Sequence, residues 1–125
     1  MARGKKRQRR ERRNAQQQRA AHGSPGGRAR QLRENGDIAG AAAQLENVLD
    51  RQPADGDALY ELNLCTRRGF DRERYRQRVE AAVQQAPANP RIAYMGGVVA
   101  REKGDLEAAE TRLEIAQGTY PDDPA

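Results

Sequence analysis

Residues 35–53 read NGDIAGAAAQLENVLDRQP, and the marker residues of this stretch return twice farther along the chain. The turn aspartate and the closing proline each recur at intervals of 34 residues, as Asp37, Asp71 and Asp105 and as Pro53, Pro87 and Pro121. Small and apolar positions repeat in the same register: Ala41/Tyr75/Ala109, Leu45/Val79/Leu113 and Val48/Ala82/Ala116. A period of this length is typical of solenoids that stack one supersecondary unit, and the spacing places these residues on one helical face.

The first unit predicts a short helix followed by a longer amphipathic one. Glycines in the stretch 23–27 disfavour helix, so the first helix is expected from about Gly27 to Glu34. Asn35-Gly36 is a turn signal, and the Asp37 carboxylate predicts the N-cap of a second helix, Ile38 to about Arg51.

The second and third units repeat this plan. Asp57 and Asp71 predict the N-caps of the two helices of unit two, with a turn at Gly69-Phe70 between them. Asn89-Pro90 predicts the start of unit three, whose last helix runs from Leu106 to about Gln117 with Leu106 on its apolar stripe. The predicted fold is all-α, a right-handed helix-turn-helix solenoid of about three units.

Residues 22–121 resemble three tandem tetratricopeptide repeats. The resemblance rests on the small residues Ala41 and Ala109 where two helices cross and on the turn glycines Gly36 and Gly104. It also rests on Gly97 in the first helix of unit three. The chain departs from the family where Phe70 occupies the usual turn glycine and Tyr75 replaces the small crossing residue. The domain boundaries that follow are a basic low-complexity tail at 1–22, repeat one with a degenerate first helix at 23–53, repeat two at 54–87, and repeat three with a C-terminal stub at 88–125.

The N-terminal tail concentrates the positive charge. Residues 1–20 carry nine Arg and Lys against one Glu, a net of +8, whereas the other residues of this +5 chain sum to −3. Residues 1–22 contain no branched or aromatic apolar residue, so we expect disorder that becomes partly helical on an anionic partner. The predicted polyanion-binding residues are Arg3, Lys5, Lys6, Arg7, Arg9, Arg10, Arg12 and Arg13. They would neutralise phosphates of RNA or another polyanion without reading sequence.

The sequence offers little for catalysis. His22 is the one histidine, and Cys65 is the one cysteine and lies among apolar residues of a predicted helix, where a buried structural thiol is expected. We therefore predict no enzyme activity, no cofactor and no metal. No apolar run is long enough to span a membrane, and we expect an intracellular, cytoplasmic protein, or a nuclear one if the source is eukaryotic.

In the family that this chain resembles, the first helix of each pair lines a concave groove. That resemblance implies a peptide groove that includes Arg33, Tyr60, Leu64, Arg67, Arg68, Tyr94, Val98 and Arg101, together with Arg30, Glu61, Arg91 and Met95. Arg33, Arg67 and Arg101 share one repeat position and are expected to form a ladder for an acidic peptide. The alternative is that these arginines lie in last turns because helix C-termini favour cations.

A second basic patch surrounds the turn of unit two. It comprises Arg67, Arg68, Arg72, Arg74, Arg76 and Arg78. Pairing of these arginines with Asp and Glu on a solvated helix face is one interpretation. A single anion-binding surface continuous with the tail is the other.

Three functions remain open on these residues. The first is a scaffold that binds a peptide or partner helix in its groove, with the tail as an electrostatic anchor. The second is an RNA-associated or polyanion-associated protein whose tail is the main binding element, and the third is the N-terminal repeat fragment of a larger enzyme. The ending at Pro121 mirrors the start of unit three, so part of the face with Leu113, Ala116 and Tyr120 is expected to be exposed, in a fragment or in a chain that self-associates through its last helix.

Overall fold

The computed structural model describes residues 25–118, which form six helices in three pairs. In chain order the helices are α1 (Pro25–Glu34), α2 (Ile38–Arg51), α3 (Gly56–Thr66), α4 (Arg72–Gln85), α5 (Pro90–Glu102) and α6 (Leu106–Gly118). No strand occurs in this part of the chain. The all-α helical-repeat fold predicted from the 34-residue period is therefore confirmed, whereas the basic tail lies outside the described residues.

Short polar side chains fix where the helices begin. The side chains of Asp37, Asp71 and Asn89 accept backbone N–H groups at the starts of α2, α4 and α5, as predicted. The prediction for α3 is wrong by two residues, because its N-cap is Asp55, whose carboxylate accepts a first-turn N–H at 3.1 Å. Asp57 instead lies inside the first turn of α3 with an exposed side chain.

A continuous core runs through the three pairs. The largest fully buried side chains come from the four central helices, α2 to α5: Leu45, Leu49, Leu59, Leu62, Cys65, Val79, Ile92 and Val99. Tyr75 is buried at the position where the other pairs have Ala41 and Ala109, so the second pair fills its crossing with a ring instead of a methyl group.

Two adjacent glycines allow α5 to pack closely on both sides. A Cβ on Gly97 would lie 2.7 Å from the side chain of Leu113 on α6. A Cβ on Gly96 would lie 2.6 Å from Cγ2 of Val83 on α4. These distances are shorter than side chains tolerate, so the glycine pair sets the approach of α5 to its own partner helix and to the preceding pair.

The turn between α3 and α4 differs from the other two. Gly69 has φ +108°, which L side chains rarely adopt, and the Phe70 N–H donates to the Cys65 carbonyl at 3.1 Å. Phe70 occupies the position of Gly36 and Gly104, so the turn glycine of this unit lies one residue earlier in the repeat. The half-buried ring of Phe70 packs against the core.

Two further expectations need correction. Helix α1 begins at Pro25 rather than near Gly27, because proline is well tolerated in a first helical turn. Leu106 is 70% exposed, since it lies on the side of α6 that faces along the stack rather than towards α5. On the face of α6 that was expected to be partly exposed, Leu113 is half-buried and Ala116 is buried, whereas Tyr120 lies outside the described residues.

Candidate functional site

A cleft of about 630 Å³ lies where α3, α4 and α5 meet. Six of the predicted groove residues line it, namely Tyr60, Arg67, Arg91, Tyr94, Met95 and Val98. Tyr60 is 48% exposed and Tyr94 is 58% exposed, so both rings are available to a ligand. The cleft therefore combines aromatic and apolar contact area with a cation.

The floor of the cleft is held by a network centred on Arg72. Its Nη1 donates to Asn63 Oδ1 at 2.6 Å and to Thr66 Oγ1 at 2.9 Å, and its Nη2 donates to Glu102 Oε1 at 2.6 Å. The same guanidinium lies 4.6 Å from the ring centre of Tyr75, within range of a cation–π contact. Because Arg72 is committed to these partners, it shapes the cleft and is not a free anion receptor.

The network also fixes ionisation states in the floor. Burial raises the pKa of the Tyr75 phenol above its ordinary value, with Arg72 opposing that shift and Glu102 adding to it, so the phenol stays protonated at neutral pH. Burial also acts to raise the pKa of Glu102, but hydrogen bonds from Arg72 and Arg76 outweigh it and lower this pKa. Glu102 is therefore a carboxylate at neutral pH.

Arg67 differs from its counterpart one repeat earlier in that its side chain has no partner among the described residues. Arg33 donates from Nε to Glu61 Oε2 at 3.3 Å, and Arg30 donates to the other oxygen of Glu61 at 3.2 Å. The position equivalent to Glu61 in the next unit is Met95, 34 residues later. The side chain of Arg67 forms no ion pair or side-chain hydrogen bond with any residue in 25–118, and it is exposed. An uncompensated guanidinium thus lines the cleft.

Arg91 stands on the same cleft with its charge largely matched. Its Nη1 lies 2.7 Å from Asp57 Oδ1, and both side chains are substantially exposed. Exposed pairs of this kind are weak and easily exchanged. Arg91 is therefore a second cation that a ligand could recruit at the rim.

The other predicted residues lie elsewhere. Leu64 is half-buried and Arg68 is exposed, and neither lines this cleft. Arg101 lines a separate cleft beside α6, and Arg33 is paired with Glu61, so Arg67 is the member of the expected arginine ladder that lines the larger cleft. All eight predicted polyanion-binding residues, Arg3 to Arg13, lie outside the described residues.

The basic patch of unit two is mostly paired with acidic residues. Arg74 contacts Glu46, Arg76 lies 3.2 Å from Glu102, and Arg78 lies 2.8 Å from Asp50. A hydrogen bond to Glu102 is the largest cause that raises the pKa of Arg76. Four of the six arginines of the patch are therefore paired with Asp or Glu side chains. Arg67 and Arg68 are the members that lack an acidic partner within residues 25–118.

Sequence reasoning missed the polar floor of the cleft. Asn63, Thr66, Arg72 and Tyr75 all line it, but none was assigned to the groove. The available signal was the change of residue class at repeat positions: Tyr75 replaces alanine, and Arg72 stands where unit one has Ile38. Such substitutions at otherwise apolar positions indicate a unit with a specialised surface.

Nothing in the described residues points to bond-making chemistry. Cys65 is fully buried, and burial raises the pKa of its thiol despite the opposing charge of Arg33, so the thiolate is disfavoured. Within residues 25–118 no group of three or more His, Cys, Asp or Glu side chains could hold a metal ion. None of the six described helices combines the length and the apolarity that crossing a bilayer requires.

Comparison with known protein families agrees with this geometry. The family profile described as "Tetratricopeptide repeat" matches residues 27–65 and 73–124, which together make up more than half of the chain. No curated protein sequence and no solved structure matches the chain. The paired helices, the 34-residue period and the profile match place this chain in the tetratricopeptide repeat family.

Proposed function

We propose that this protein is an interaction module whose cleft between α3, α4 and α5 binds an acidic peptide segment of a protein partner. Tetratricopeptide repeats generally serve as protein–protein interaction modules. The observation that carries the acidic preference is the Arg67 side chain in that cleft, which has no ion-pair or hydrogen-bond partner in residues 25–118. A peptide carboxylate supplies the charge that Glu61 supplies to Arg33.

The rest of the cleft supports a peptide whose acidic residue is flanked by apolar side chains. Tyr60 and Tyr94 present rigid rings that bind with a small loss of conformational entropy. Met95 and Val98 add apolar area on the α5 side. The charged group selects the ligand and sets its register, whereas the apolar contacts contribute most of the affinity.

The test uses a synthetic peptide with an Asp-Glu pair flanked by leucines and a matched peptide with Asn-Gln in its place. Titration of the 125-residue chain should give about tenfold tighter binding of the acidic peptide, because a charge-assisted hydrogen bond to a guanidinium contributes about 1.5 kcal/mol. Arg67→Glu should remove this preference without changing the helix content.

Arg68→Glu is the matched control, because Arg68 is exposed and adjacent but does not line the cleft. It changes the net charge by the same amount, so a general charge effect would appear in both variants. Equal losses of affinity in the Arg67→Glu and Arg68→Glu variants would refute a specific role for Arg67.

We propose in addition that the N-terminal tail is an accessory electrostatic anchor. Its net charge of +8 in residues 1–20 supports weak binding to RNA or another polyanion without sequence preference. If the tail contacts about six phosphates, its affinity for one defined RNA oligonucleotide should fall by roughly a thousandfold between 50 and 200 mM salt. RNA affinity that is insensitive to salt, or unchanged after deletion of residues 3–13, would contradict this role.

A further inference from the structure

The side of α4 that faces the third helix pair is coupled to it by ion pairs. Arg72 and Arg76 both reach Glu102 on α5, at 2.6 and 3.2 Å. Glu80 accepts two hydrogen bonds from Arg112 on α6, at 2.8 and 2.9 Å. The hydrogen bond from Arg112 is the largest cause that lowers the pKa of Glu80, so this pair is charged at neutral pH.

Val83 completes this coupling face by packing on Gly96 of α5. Four residues of α4 therefore contact the following unit, namely Arg72, Arg76, Glu80 and Val83. Their counterparts 34 residues later all lie on α6: Leu106, Glu110, Glu114 and Gln117.

All four counterparts line one open cleft of about 340 Å³ beside α6, and Arg101 lines it as well, so the two glutamates of the cleft outnumber the one cation among its described lining residues. Leu106, Glu110, Glu114 and Gln117 are exposed, and Leu113 adds half-buried apolar surface between them. Neither Glu110 nor Glu114 has an ion-pair or hydrogen-bond partner for its side chain within residues 25–118. The exposed face of α6 is thus equivalent to the α4 face that contacts the next pair, but its two glutamates have no partners within residues 25–118.

We propose that this α6 face docks an amphipathic basic helix of a partner protein. Glu114 stands at the position of Glu80, which pairs with an arginine of the following unit, so a docked helix should carry a cation there. Glu110 stands at the position of Arg76, which pairs with a carboxylate, and its opposite charge calls for a second cation in the partner. Leu106 and Leu113 provide apolar contact before and after Glu110 on this face.

A second copy of this chain is a poor occupant of the same face. Suppose that the first helix pair of a second copy packed on α6 in the way that the third pair packs on α4. The residue of that copy equivalent to Glu102, two periods earlier in the sequence, would then approach Glu110. That residue is Glu34, so two carboxylates would meet. The residue two periods before Arg112 is Gln44, which offers no charge to Glu114. Charge complementarity therefore favours a different, basic partner over self-association.

The test uses a synthetic amphipathic peptide of about 20 residues, long enough to form a helix, with leucines on one face and flanking arginines. The control peptide has glutamate in place of each arginine. Amide resonances of the isotope-labelled 125-residue chain should shift around Leu106 to Gln117 on addition of the arginine peptide only. Glu110→Arg combined with Glu114→Arg should weaken its binding at least about tenfold, since two ion pairs are lost and two repulsions are introduced.

Glu107→Arg is the matched control variant, because Glu107 is exposed on the same helix but does not line the cleft. Its affinity for the arginine peptide should stay within about threefold of the unchanged chain, the effect of one nearby surface charge. Absence of binding, equal binding of both peptides, or shifts confined to other helices would overturn the proposal. Sedimentation that reveals a dimer disrupted by the double substitution would also overturn it, by assigning the face to a second copy.

Discussion

The groove of the first unit and the groove of the second unit carry arginine at equivalent positions, yet only one of these side chains is available to a ligand. Arg33 shares the buried Glu61 carboxylate with Arg30, whereas Arg67 faces a cleft in which Met95 takes the place of that glutamate. A single exchange of glutamate for methionine at one repeat position thus separates an arginine that is paired within the fold from one that has no acidic partner in residues 25–118. In a repeat protein, the residue one unit ahead decides whether a given charge belongs to the fold or to the surface.

The second helices follow the same rule. Glu46 contacts Arg74 and lies 3.9 Å from Arg78, and Glu80 pairs with Arg112. Glu114, the third member of this series, has no such partner in residues 25–118. Comparison of equivalent positions therefore identifies two candidate binding surfaces, the Arg67 cleft and the α6 face.

The largest expected effect comes from removing the carboxylate that closes the first groove. Glu61→Gln should destabilise the protein by about 2 kcal/mol, because Glu61 is 4% exposed and two guanidinium groups lose its charge. Urea unfolding measures this difference. Glu34→Gln is the control, as Glu34 is exposed and unpaired within residues 25–118, and should change stability by less than about 0.5 kcal/mol. Similar stability of the two variants would contradict the structural role assigned to Arg33.

The contacts behind the second groove should weaken in acid. Glu80 and Glu102 have lowered pKa values in the folded protein, so both carboxylates contribute stability above the unfolded-state pKa of about 4.3 and lose it as pH falls through the lower folded-state values. The contribution of these partly exposed pairs is about 1 kcal/mol in total.

The measurement compares urea unfolding of the unchanged chain and a Glu80→Gln, Glu102→Gln double variant at pH 6 and at about pH 3. The stability difference between the two proteins should shrink by about 1 kcal/mol at the lower pH, because protonation removes the same charges that the substitutions remove. A difference that stays constant with pH would show that these carboxylates do not titrate as paired groups.

The smallest expected effect concerns the rim of the second groove. Asp57→Asn should raise the affinity for the Asp-Glu peptide about twofold to threefold, because it releases Arg91 from a pair that is exposed and weak. Peptide titration at low salt measures the gain. A loss of affinity would mean that Arg91 contributes to the cleft only while Asp57 holds it in place.

Local sequence signals predicted most of the fold. The 34-residue period located all three helix pairs, and Asp37, Asp71 and Asn89 marked helix starts because a capping side chain acts on its own first turn. The start of α3 was misassigned because Asp55 and Asp57 are both capable caps, and the choice depends on the path of the preceding loop. Leu106 was misassigned because helical periodicity does not distinguish the side that faces α5 from the side that faces along the stack.

The candidate site was less predictable because it depends on contacts between units. The family resemblance brought Tyr60, Arg67 and Tyr94 to the groove, and these residues do share one cleft. The pairing of Arg33 with Glu61 joins residues 28 positions apart on different helix pairs, which the expected arginine ladder did not include. The polar floor around Arg72 arises in the same way, through Glu102 of the next unit.

The measurement that tests the central claim most directly restores the missing glutamate in the second groove. Met95→Glu places a carboxylate beside Arg67 at the repeat position that Glu61 occupies beside Arg33. Met95→Gln introduces a side chain of similar size that carries no charge. Calorimetric titration with the Asp-Glu peptide should give at least about tenfold weaker binding to the Met95→Glu variant and a change within about threefold for Met95→Gln. Equal affinities of the two variants for this peptide would contradict the claim that an unpartnered Arg67 makes this cleft a receptor for an acidic ligand.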